Sequence, residues 1–227
     1  HRMTIGHLAT HTSGLPSYSI IREVRLAFSP KVNRDLYCQY SLTELRDWIN
    51  ARTAGRNKRV RYSNIGMGLL GLLMAWHEQC TFEELLERYI TRPFGMPDTF
   101  IAVTDAHRDR IIQGHTVKGV AVQPLQLNDY QGAGAIRSTV SELLRFLSAH
   151  MNAGDESALA PAHAARVRMG KRYAIGLGWI RDNNDLLFHN GATTGFSSFM
   201  GFHRQSRTGV VVLSNYRNRI VQDTPDR

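Results

Sequence analysis

The sequence predicts an α+β protein in which a mainly helical first part is followed by an antiparallel sheet. Helix-start signatures and helical spacing of apolar residues extend to about residue 154, whereas short runs rich in aromatic and β-branched residues follow residue 172. The 227 residues are 42% hydrophobic and 21% charged, which is enough to bury a sizeable core. This composition excludes disordered, collagen-like and coiled-coil proteins.

Three helices are predicted to begin where a Ser or Thr is followed three residues later by Glu. In that arrangement the two side chains accept each other's backbone N–H groups and cap the first turn. The pairs are Ser41 with Glu44, Thr81 with Glu84, and Thr139 with Glu142. The second helix is predicted to end at Pro93 and Gly95, and the third near residues 152–154.

A further helix is predicted from Ile65 to Trp76, where apolar residues lie on all sides. The pattern indicates a helix that is buried on every side and packs closely through its glycines. The stretch is too short for the roughly 20 residues that a membrane-spanning helix needs, so no transmembrane segment is predicted.

Four strands are predicted in the last third of the chain, separated by Asn, Gly, Arg and Ser. The connection Arg204–Thr208 has a length that suits an antiparallel hairpin between the last two strands. The strands are Tyr173–Ile180, Leu186–His189, Phe196–His203 and Gly209–Ser214.

The formal net charge of +9 raises the expectation of an anionic partner. However, the cations are scattered, and the one tight cluster, residues 56–61, is interpreted as a solvated loop. A nucleic-acid partner is therefore not expected. Cys38 and Cys80 have no metal-ligand spacing, and the sequence leaves open whether they are bridged or free.

Two patterns that resemble ligand sites are interpreted as structural. His7 and His11 stand four residues apart, but no third ligand is apparent, so no metal is predicted. The glycines of Gly66–Gly71 match a dinucleotide-binding spacing, yet they lie inside an apolar run and do not follow a buried strand. No cofactor is predicted. Ser13 is assigned to a turn with Gly14 and is not interpreted as a nucleophile.

Two short motifs carry the functional prediction. Tyr62-Ser63-Asn64 directly precedes the apolar helix, and His189-Asn190-Gly191 is placed at the end of a predicted strand. Taken singly, each has a plain structural alternative: a packed aromatic residue, a helix cap at Asn64, and a turn. Their order along the chain with three flanking segments is more specific. These segments are residues 10–16, 132–139 and 176–179.

With these segments the sequence resembles the serine β-lactamase and penicillin-binding protein superfamily, in the branch of class C β-lactamases, D-Ala-D-Ala peptidases and related esterases. The resemblance implies one domain over residues 1–227, with a helical subdomain to about residue 130 packed against an antiparallel sheet with flanking helices. It also implies a periplasmic or extracellular location. In this family a Ser-x-x-Lys nucleophile, a Tyr-x-Asn loop and a Lys-Thr-Gly or His-x-Gly strand meet in one cleft.

The first of these three elements is absent from the sequence. The chain has four lysines, and the residues three positions before them are Phe28, Gly55, His115 and Arg168. Because none is serine, the sequence contains no Ser-x-x-Lys. We therefore expect the chain to be an internal piece of a longer protein, incomplete at both ends and inactive alone.

The resemblance implies roles for five residues in acyl transfer to the missing serine. Tyr62 would carry the serine proton to the leaving group, and Asn64 would donate a hydrogen bond to the substrate carbonyl. Gly191 would let the substrate approach the strand, and the Ala192 N–H would form half of the oxyanion hole. His189 replaces the commoner lysine and would hold a carboxylate less firmly above about pH 6.5.

Two functions are therefore expected for the parent protein, in order of preference. The first is hydrolysis of an amide or ester, with a D-Ala-D-Ala-type peptide, a β-lactam or a small ester as substrate. His189 favours a peptidase or esterase over a true β-lactamase. The alternative is a noncatalytic pseudoenzyme that binds a peptide or cell-wall fragment in the same cleft.

Overall fold

The computed structural model of the chain describes residues 3–15, 59–123, 127–193 and 195–217. They form two compact units. The first comprises the described parts of residues 1–82 and 125–135, and the second those of residues 83–124 and 136–227. The helix predicted after Ser41 lies outside the described residues. Within these ranges, no helix has the length and apolar character that crossing a membrane would require.

The first unit contains helices α1 (Ile5–Ala9) and α2 (Asn64–His77). Helix α1 begins with a reciprocal cap, in which Thr4 Oγ1 accepts the His7 N–H and His7 Nδ1 accepts the Thr4 N–H, both at 3.2 Å. His7 therefore has the structural role that was predicted for it. Helix α2 confirms the helix predicted from the apolar run.

Helix α2 packs against a 3₁₀-helical segment at Asn128–Ala133, and its glycines make the close approach possible. A Cβ added at Gly68 would lie 2.5 Å from the Tyr130 ring, and one added at Gly71 would lie 3.1 Å from Cα of Gly132. The glycine spacing that resembles a dinucleotide motif therefore serves helix packing, as the analysis of the apolar run predicted.

The prediction that this helix is buried on every side is wrong at its carboxyl-terminal end. Met74 and Trp76 are 43% and 75% exposed, whereas Leu69 and Leu70 are buried. The 3₁₀ segment of six residues covers the face of helix α2 that carries Gly68 and Gly71. It is too short to cover the other faces of this 14-residue helix.

The helix predicted after Thr81 is present, but its second half is not α-helical. Helix α3 (Phe82–Leu86) follows Thr81 and continues into a π-helical turn at Glu87–Thr91. In this turn the Arg92 N–H donates to the Glu87 carbonyl, five residues earlier, at 3.0 Å. Widening of the turn relieves the crowding that the ring of Pro93 would impose on the preceding helical carbonyls.

After the short helix α4 (Asp105–Arg108), helix α5 (Val140–Asn152) confirms the prediction from Thr139. Thr139 Oγ1 accepts the Glu142 N–H at 3.3 Å, but the Glu142 carboxylate does not complete the predicted reciprocal cap. It accepts hydrogen bonds from Asp98 N–H at 2.8 Å and Thr99 Oγ1–H at 2.6 Å. Buried Glu142 thus satisfies donors of a distant loop.

A six-stranded antiparallel sheet dominates the second unit, with its strands in sequential order. A separate two-stranded sheet, β1 (Gly114–His115) with β2 (Ala121–Val122), was not predicted. Helix α6 (Ala160–His163) precedes the large sheet. The strands of the large sheet are β3 (Val167–Met169), β4 (Tyr173–Ile175), β5 (Ile180–Asp182), β6 (Leu186–Thr193), β7 (Phe196–His203) and β8 (Thr208–Ser214).

The hairpin between β7 and β8 confirms its prediction, but the single strand predicted over Tyr173–Ile180 is wrong. A tight turn divides it into β4 and β5, which pair with each other. The Gly176 N–H donates to the Trp179 carbonyl at 2.8 Å, and Gly178 has φ +84°, a conformation that glycine adopts readily. These glycines make a hairpin where the β-branched and aromatic composition indicated one strand.

Each face of the large sheet carries its own apolar cluster. Adjacent residues of a strand point to opposite faces, and Leu187 and Phe188 of β6 accordingly belong to different clusters. The face that carries Leu187 and Phe202 packs against Leu147 of helix α5. This helix therefore fixes one face of the sheet that contains His189.

Two buried histidines, His150 of helix α5 and His163 of helix α6, lie beside Phe202 of the sheet. His150 Nδ1 and His163 Nε2 are 2.7 Å apart, so one ring donates to the other. Their outer nitrogens, His150 Nε2 and His163 Nδ1, have no hydrogen-bond partner. Burial and then His163 lower the pKa of His150 from 6.5 to about 4, and burial and then Arg204 lower the pKa of His163.

We expect the free energy of unfolding to fall as the pH drops from about 6.5 towards 4. The unfolded chain takes up a proton on His150 first, so stability is full above the unfolded pKa and is lost down to the folded pKa. The shift to about pH 4 corresponds to a loss of about 3 kcal/mol. Urea unfolding of the full-length protein at several pH values measures this change in the free energy of unfolding.

The double variant His150→Phe, His163→Leu is the control, because it keeps the site apolar and removes both titrating groups. It should lose less stability than the wild type over this pH range. Identical pH dependence in the two proteins would contradict the assignment.

Candidate active site

The Tyr62–Asn64 loop is built around a buried central residue. Ser63 is fully buried, and its Oγ caps helix α2 by accepting the Gly66 N–H at 2.9 Å. Ser63 has extended backbone angles, φ −140° and ψ 107°, so the side chains before and after it point away from the one that is buried. Tyr62 and Asn64 are therefore presented on one side of the loop.

The structural alternative that Asn64 caps the helix is wrong, because Ser63 is the N-cap and Asn64 is the first helical residue. The Asn64 side chain is half-buried at the start of helix α2. Its role as a hydrogen-bond donor to a substrate stays a prediction.

Tyr62 is 40% exposed, and its ring lies against His11, with ring centroids 4.2 Å apart. The sequence analysis placed His11 in the flanking segment 10–16 and interpreted it as structural, not as a metal ligand, so it missed this contact. His11 and Ser63 are hydrogen-bonded but lie 52 residues apart in the sequence. No local sequence pattern therefore indicates that His11 lies beside Tyr62.

The segment from Thr10 to Leu15 has the structural role that was predicted for Ser13. Ser13 Oγ accepts the Leu15 N–H at 3.3 Å, and Gly14 has φ +77°. Thr10 and Thr12 are joined through their hydroxyl groups at 2.9 Å. These bonds hold the loop that carries His11 beside Tyr62.

Strand β6 carries His189, Gly191 and Ala192. The prediction that this strand ends at His189 is wrong, because β6 continues to Thr193 and pairs with β7 throughout. Gly191 is therefore within a strand and not in a turn. It lies opposite Ser198, whose Oγ would be 2.7 Å from a Cβ at Gly191, so glycine leaves the room that the Ser198 side chain occupies.

The ladder between β5 and β6 is short. Within the described residues, β5 pairs with β6 only at Arg181 with Leu187 and at Ile180 with Phe188. Residues 189–193 therefore pair with β7 on one side and have no strand of this sheet on the other. Ala192, in this stretch, is exposed.

The tip of the β6–β7 hairpin is anchored on the small sheet. The His115 N–H donates to the Gly195 carbonyl at 3.2 Å and to the Asn215 carbonyl at 2.8 Å. Gly195 has φ +89°, and a Cβ there would overlap Val122. The small sheet, which the sequence did not predict, thus holds the hairpin that carries Ala192.

His189 is partly exposed, and its surroundings disfavour the charged imidazolium. Burial lowers the pKa of His189 below the ordinary value of 6.5, and a hydrogen bond with the backbone of Asn190 opposes this shift. The imidazole is therefore neutral at pH 7. A neutral ring can donate or accept a hydrogen bond, but it offers no full positive charge to a carboxylate.

The five predicted site residues fall in different units. Tyr62 and Asn64 lie together in the first unit, while His189, Gly191 and Ala192 follow one another along β6 in the second. The meeting of the two groups in one cleft stays a prediction. Among the residues that the structure describes, no three His, Cys, Asp or Glu side chains are grouped to hold a metal ion.

Solved structures share the fold over most of this chain. A class C β-lactamase has a TM-score of 0.79 at 21% identity and is matched over 97% of this chain and 67% of its own. A β-lactamase/D-alanine carboxypeptidase from Pseudomonas syringae has a TM-score of 0.76 at 20% identity, over 99% and 72%. The mixed helical and antiparallel architecture is thus that of class C β-lactamases, as the sequence predicted.

The family model Beta-lactamase matches residues 1–227, and the chain belongs to that family. Penicillin-binding protein 4* of Bacillus subtilis is 26% identical over 239 residues, covering 94% of this chain and 51% of the relative. A β-lactamase of Yersinia enterocolitica is 25% identical over 252 residues, covering 92% and 61%. The chain thus spans about half to three fifths of the length of these relatives.

Proposed function

We propose that this chain forms most of the catalytic domain of a serine hydrolase that cleaves an amide or ester through an acyl-serine. The observation that carries the proposal is the conformation of the Tyr62–Asn64 loop. Its central residue, Ser63, is buried, so the exposed Tyr62 and the half-buried Asn64 lie on one side of the loop. Membership of the β-lactamase family supports the reaction class. The relatives named above as β-lactamase and penicillin-binding protein support amides as substrates.

The nucleophile, in this proposal, belongs to a Ser-x-x-Lys segment encoded before His1, since none occurs in the chain. The serine oxygen forms a bond to the substrate carbonyl carbon while Tyr62, acting as a phenolate that the lysine of that segment stabilises, takes the serine proton. Tyr62 then gives this proton to the leaving nitrogen or oxygen as its bond to the carbonyl carbon breaks. Water hydrolyses the acyl-serine, which releases the acid and restores the enzyme.

Asn64 donates a side-chain hydrogen bond to the substrate carbonyl, and this orients the substrate for attack. The lack of ladder pairing between β5 and residues 189–193, within the described part of the chain, supports an extended substrate that lies on the β5 side of this stretch. In an antiparallel pair, facing residues alternate between hydrogen-bonded and non-hydrogen-bonded pairs. If Thr193 and Phe196, which face each other beside the hairpin turn, form a hydrogen-bonded pair, then Ala192 and Ser197 do not, and the Ala192 N–H points away from β7, towards the β5 side. That N–H then forms half of the oxyanion hole, and the N–H of the serine forms the other half.

The neutral imidazole of His189 favours small esters over anionic substrates. Burial lowers the pKa of His189, so the ring carries little charge at neutral pH. The carboxylate of a β-lactam or of a D-Ala-D-Ala peptide would receive a hydrogen bond from a neutral group, which is weaker than one from a cation. A small ester needs no such charge.

The second candidate is a noncatalytic protein that binds a peptide or cell-wall fragment in the same cleft and has no nucleophile. Reading the gene upstream of His1 separates the two candidates. A Ser-x-x-Lys in frame supports the hydrolase, while a start codon without it supports the binder.

We expect Tyr62→Phe to lower kcat of the full-length protein by roughly 100-fold or more, because it removes the proton carrier and keeps the ring. Tyr216→Phe is the matched control. Tyr216 is 44% exposed and also lies against a histidine, His115, at 4.9 Å between ring centroids. Hydrolysis of a p-nitrophenyl ester and of a chromogenic cephalosporin measures both variants.

Intact-mass spectrometry of the same samples should show an acyl adduct on the wild type. If Tyr62→Phe and Tyr216→Phe hydrolyse both substrates at the wild-type rate, Tyr62 is not the proton carrier. If the wild type forms no adduct and hydrolyses neither substrate, the proposed reaction is refuted.

We expect His189→Lys to raise kcat/KM for the anionic cephalosporin about tenfold at pH 7.5 and to leave the ester nearly unchanged. The lysine charge replaces a neutral ring, and one tenfold change corresponds to about 1.4 kcal/mol. In the wild type, activity towards the cephalosporin should improve relative to the ester as the pH falls below 6.5 and His189 gains a proton. Equal changes for the two substrates would contradict a role of His189 in carboxylate recognition.

A further inference from the structure

We propose that His11 is a positioning residue that holds Tyr62 in the orientation needed for proton transfer. The inference rests on the proposed function, since it assigns Tyr62 the role of proton carrier. His11 is only 1% exposed and lies in the loop after helix α1, 51 positions before the tyrosine it contacts.

His11 makes three contacts with Tyr62 and its two neighbours in the chain. The His11 carbonyl accepts the Arg61 N–H at 2.8 Å, and His11 Nδ1 accepts the Ser63 N–H at 3.1 Å. Between these two bonds, the imidazole lies against the Tyr62 ring at 4.2 Å between centroids, with 33° between the ring planes. The backbone is thus fixed on both sides of Tyr62, and one face of the phenol ring is supported.

The hydrogen bond from Ser63 defines the state of the imidazole. Because Nδ1 accepts an N–H, it carries the lone pair, and the proton of the neutral ring lies on Nε2. The same Ser63 caps helix α2 through its Oγ, which accepts the Gly66 N–H at 2.9 Å. His11 therefore couples the placement of Tyr62 to the start of helix α2.

The backbone of His11 is itself constrained. It has φ +52°, in the left-handed region that few residues other than glycine, Asn and Asp adopt readily. The His11 N–H donates to the Leu8 carbonyl at 3.2 Å, and the following Thr12 N–H donates to the His7 carbonyl at 2.9 Å. Such a conformation persists where surrounding bonds determine it, and it is common at functional sites.

This support matters because Tyr62 is 40% exposed. A side chain that carries a proton between two reacting atoms must lie within hydrogen-bond reach of both. Displacements of about 1 Å in such sites reduce rates by up to roughly 100-fold. The imidazole limits rotation of the phenol on one face, and the two backbone bonds limit movement of its Cα.

The experiment uses three variants of the full-length protein. His11→Asn keeps an acceptor near Nδ1 and tolerates the left-handed backbone, but it removes the ring beneath Tyr62. His11→Phe keeps a ring and removes the acceptor. Thr99→Val is the matched control, because it removes the hydrogen bond of buried Thr99 to the Glu142 carboxylate in the second unit and has no part in the contacts around Tyr62.

We expect His11→Asn and His11→Phe to lower kcat for the p-nitrophenyl ester by roughly 10-fold to 100-fold, with KM changed less than about twofold. Thr99→Val should keep the wild-type kcat even if its free energy of unfolding falls as much as that of His11→Asn. A wild-type kcat in His11→Asn, or a loss of kcat in Thr99→Val of the same size, would overturn the proposal.

A second measurement separates this proposal from the proposed function. The ring resonances of Tyr62, identified by their loss in Tyr62→Phe, should shift in His11→Asn and stay unchanged in Thr99→Val. If the wild type hydrolyses no substrate, the proposed function fails and these spectra decide the positioning role by themselves. Unchanged Tyr62 resonances in His11→Asn would refute it.

Discussion

The close approach of helix α2 to residues 128–133 is the contact on which the first unit depends. Gly68, Gly71 and Gly132 lie where the two segments meet. A Cβ on Gly68 or Gly132 would overlap the opposite segment, and one on Gly71 would crowd Gly132. Because this approach fixes the helix axis, it also fixes the first turn, where Ser63 forms the cap. Tyr62 and Asn64 acquire their placement from a packing contact that begins one turn further along the helix.

In the second unit, a sheet determines the placement of the predicted site residues. Helix α5 covers one face of the sheet through Leu147, and the small sheet at residues 114–122 holds the tip of the β6–β7 hairpin. Among the described residues, β5 begins opposite Phe188, so residues 189–193 pair along β7 and have no ladder pairing with β5. An extended ligand can pair with a strand that is held in this way along one side.

Local signals in the sequence were sufficient for several elements. Thr139 predicted the start of helix α5, the apolar run predicted helix α2, and the spacing of the last two strands predicted their hairpin. These signals act within a few residues, where propensity and capping decide the backbone. The same local chemistry identified the Tyr62 and His189 motifs, although their context made them specific.

The failures concern contacts between distant residues. Gly191 indicated the end of a strand, but pairing with Ser198 on β7 overrides the low strand propensity of glycine. Glu142 satisfies donors 43 and 44 residues away, and His11 satisfies one 52 residues away. Nothing in a single sequence marks such partners, because tertiary packing selects them.

The central claim is that Tyr62 and His189 serve one substrate. A crystal structure of the full-length protein trapped with a slowly released β-lactam tests it directly. The account predicts that the phenol and the imidazole line the same cleft, with the Ala192 N–H donating to the acyl oxygen. A structure in which the two rings lie on opposite sides of the molecule, or in which the acyl group touches neither, would contradict it.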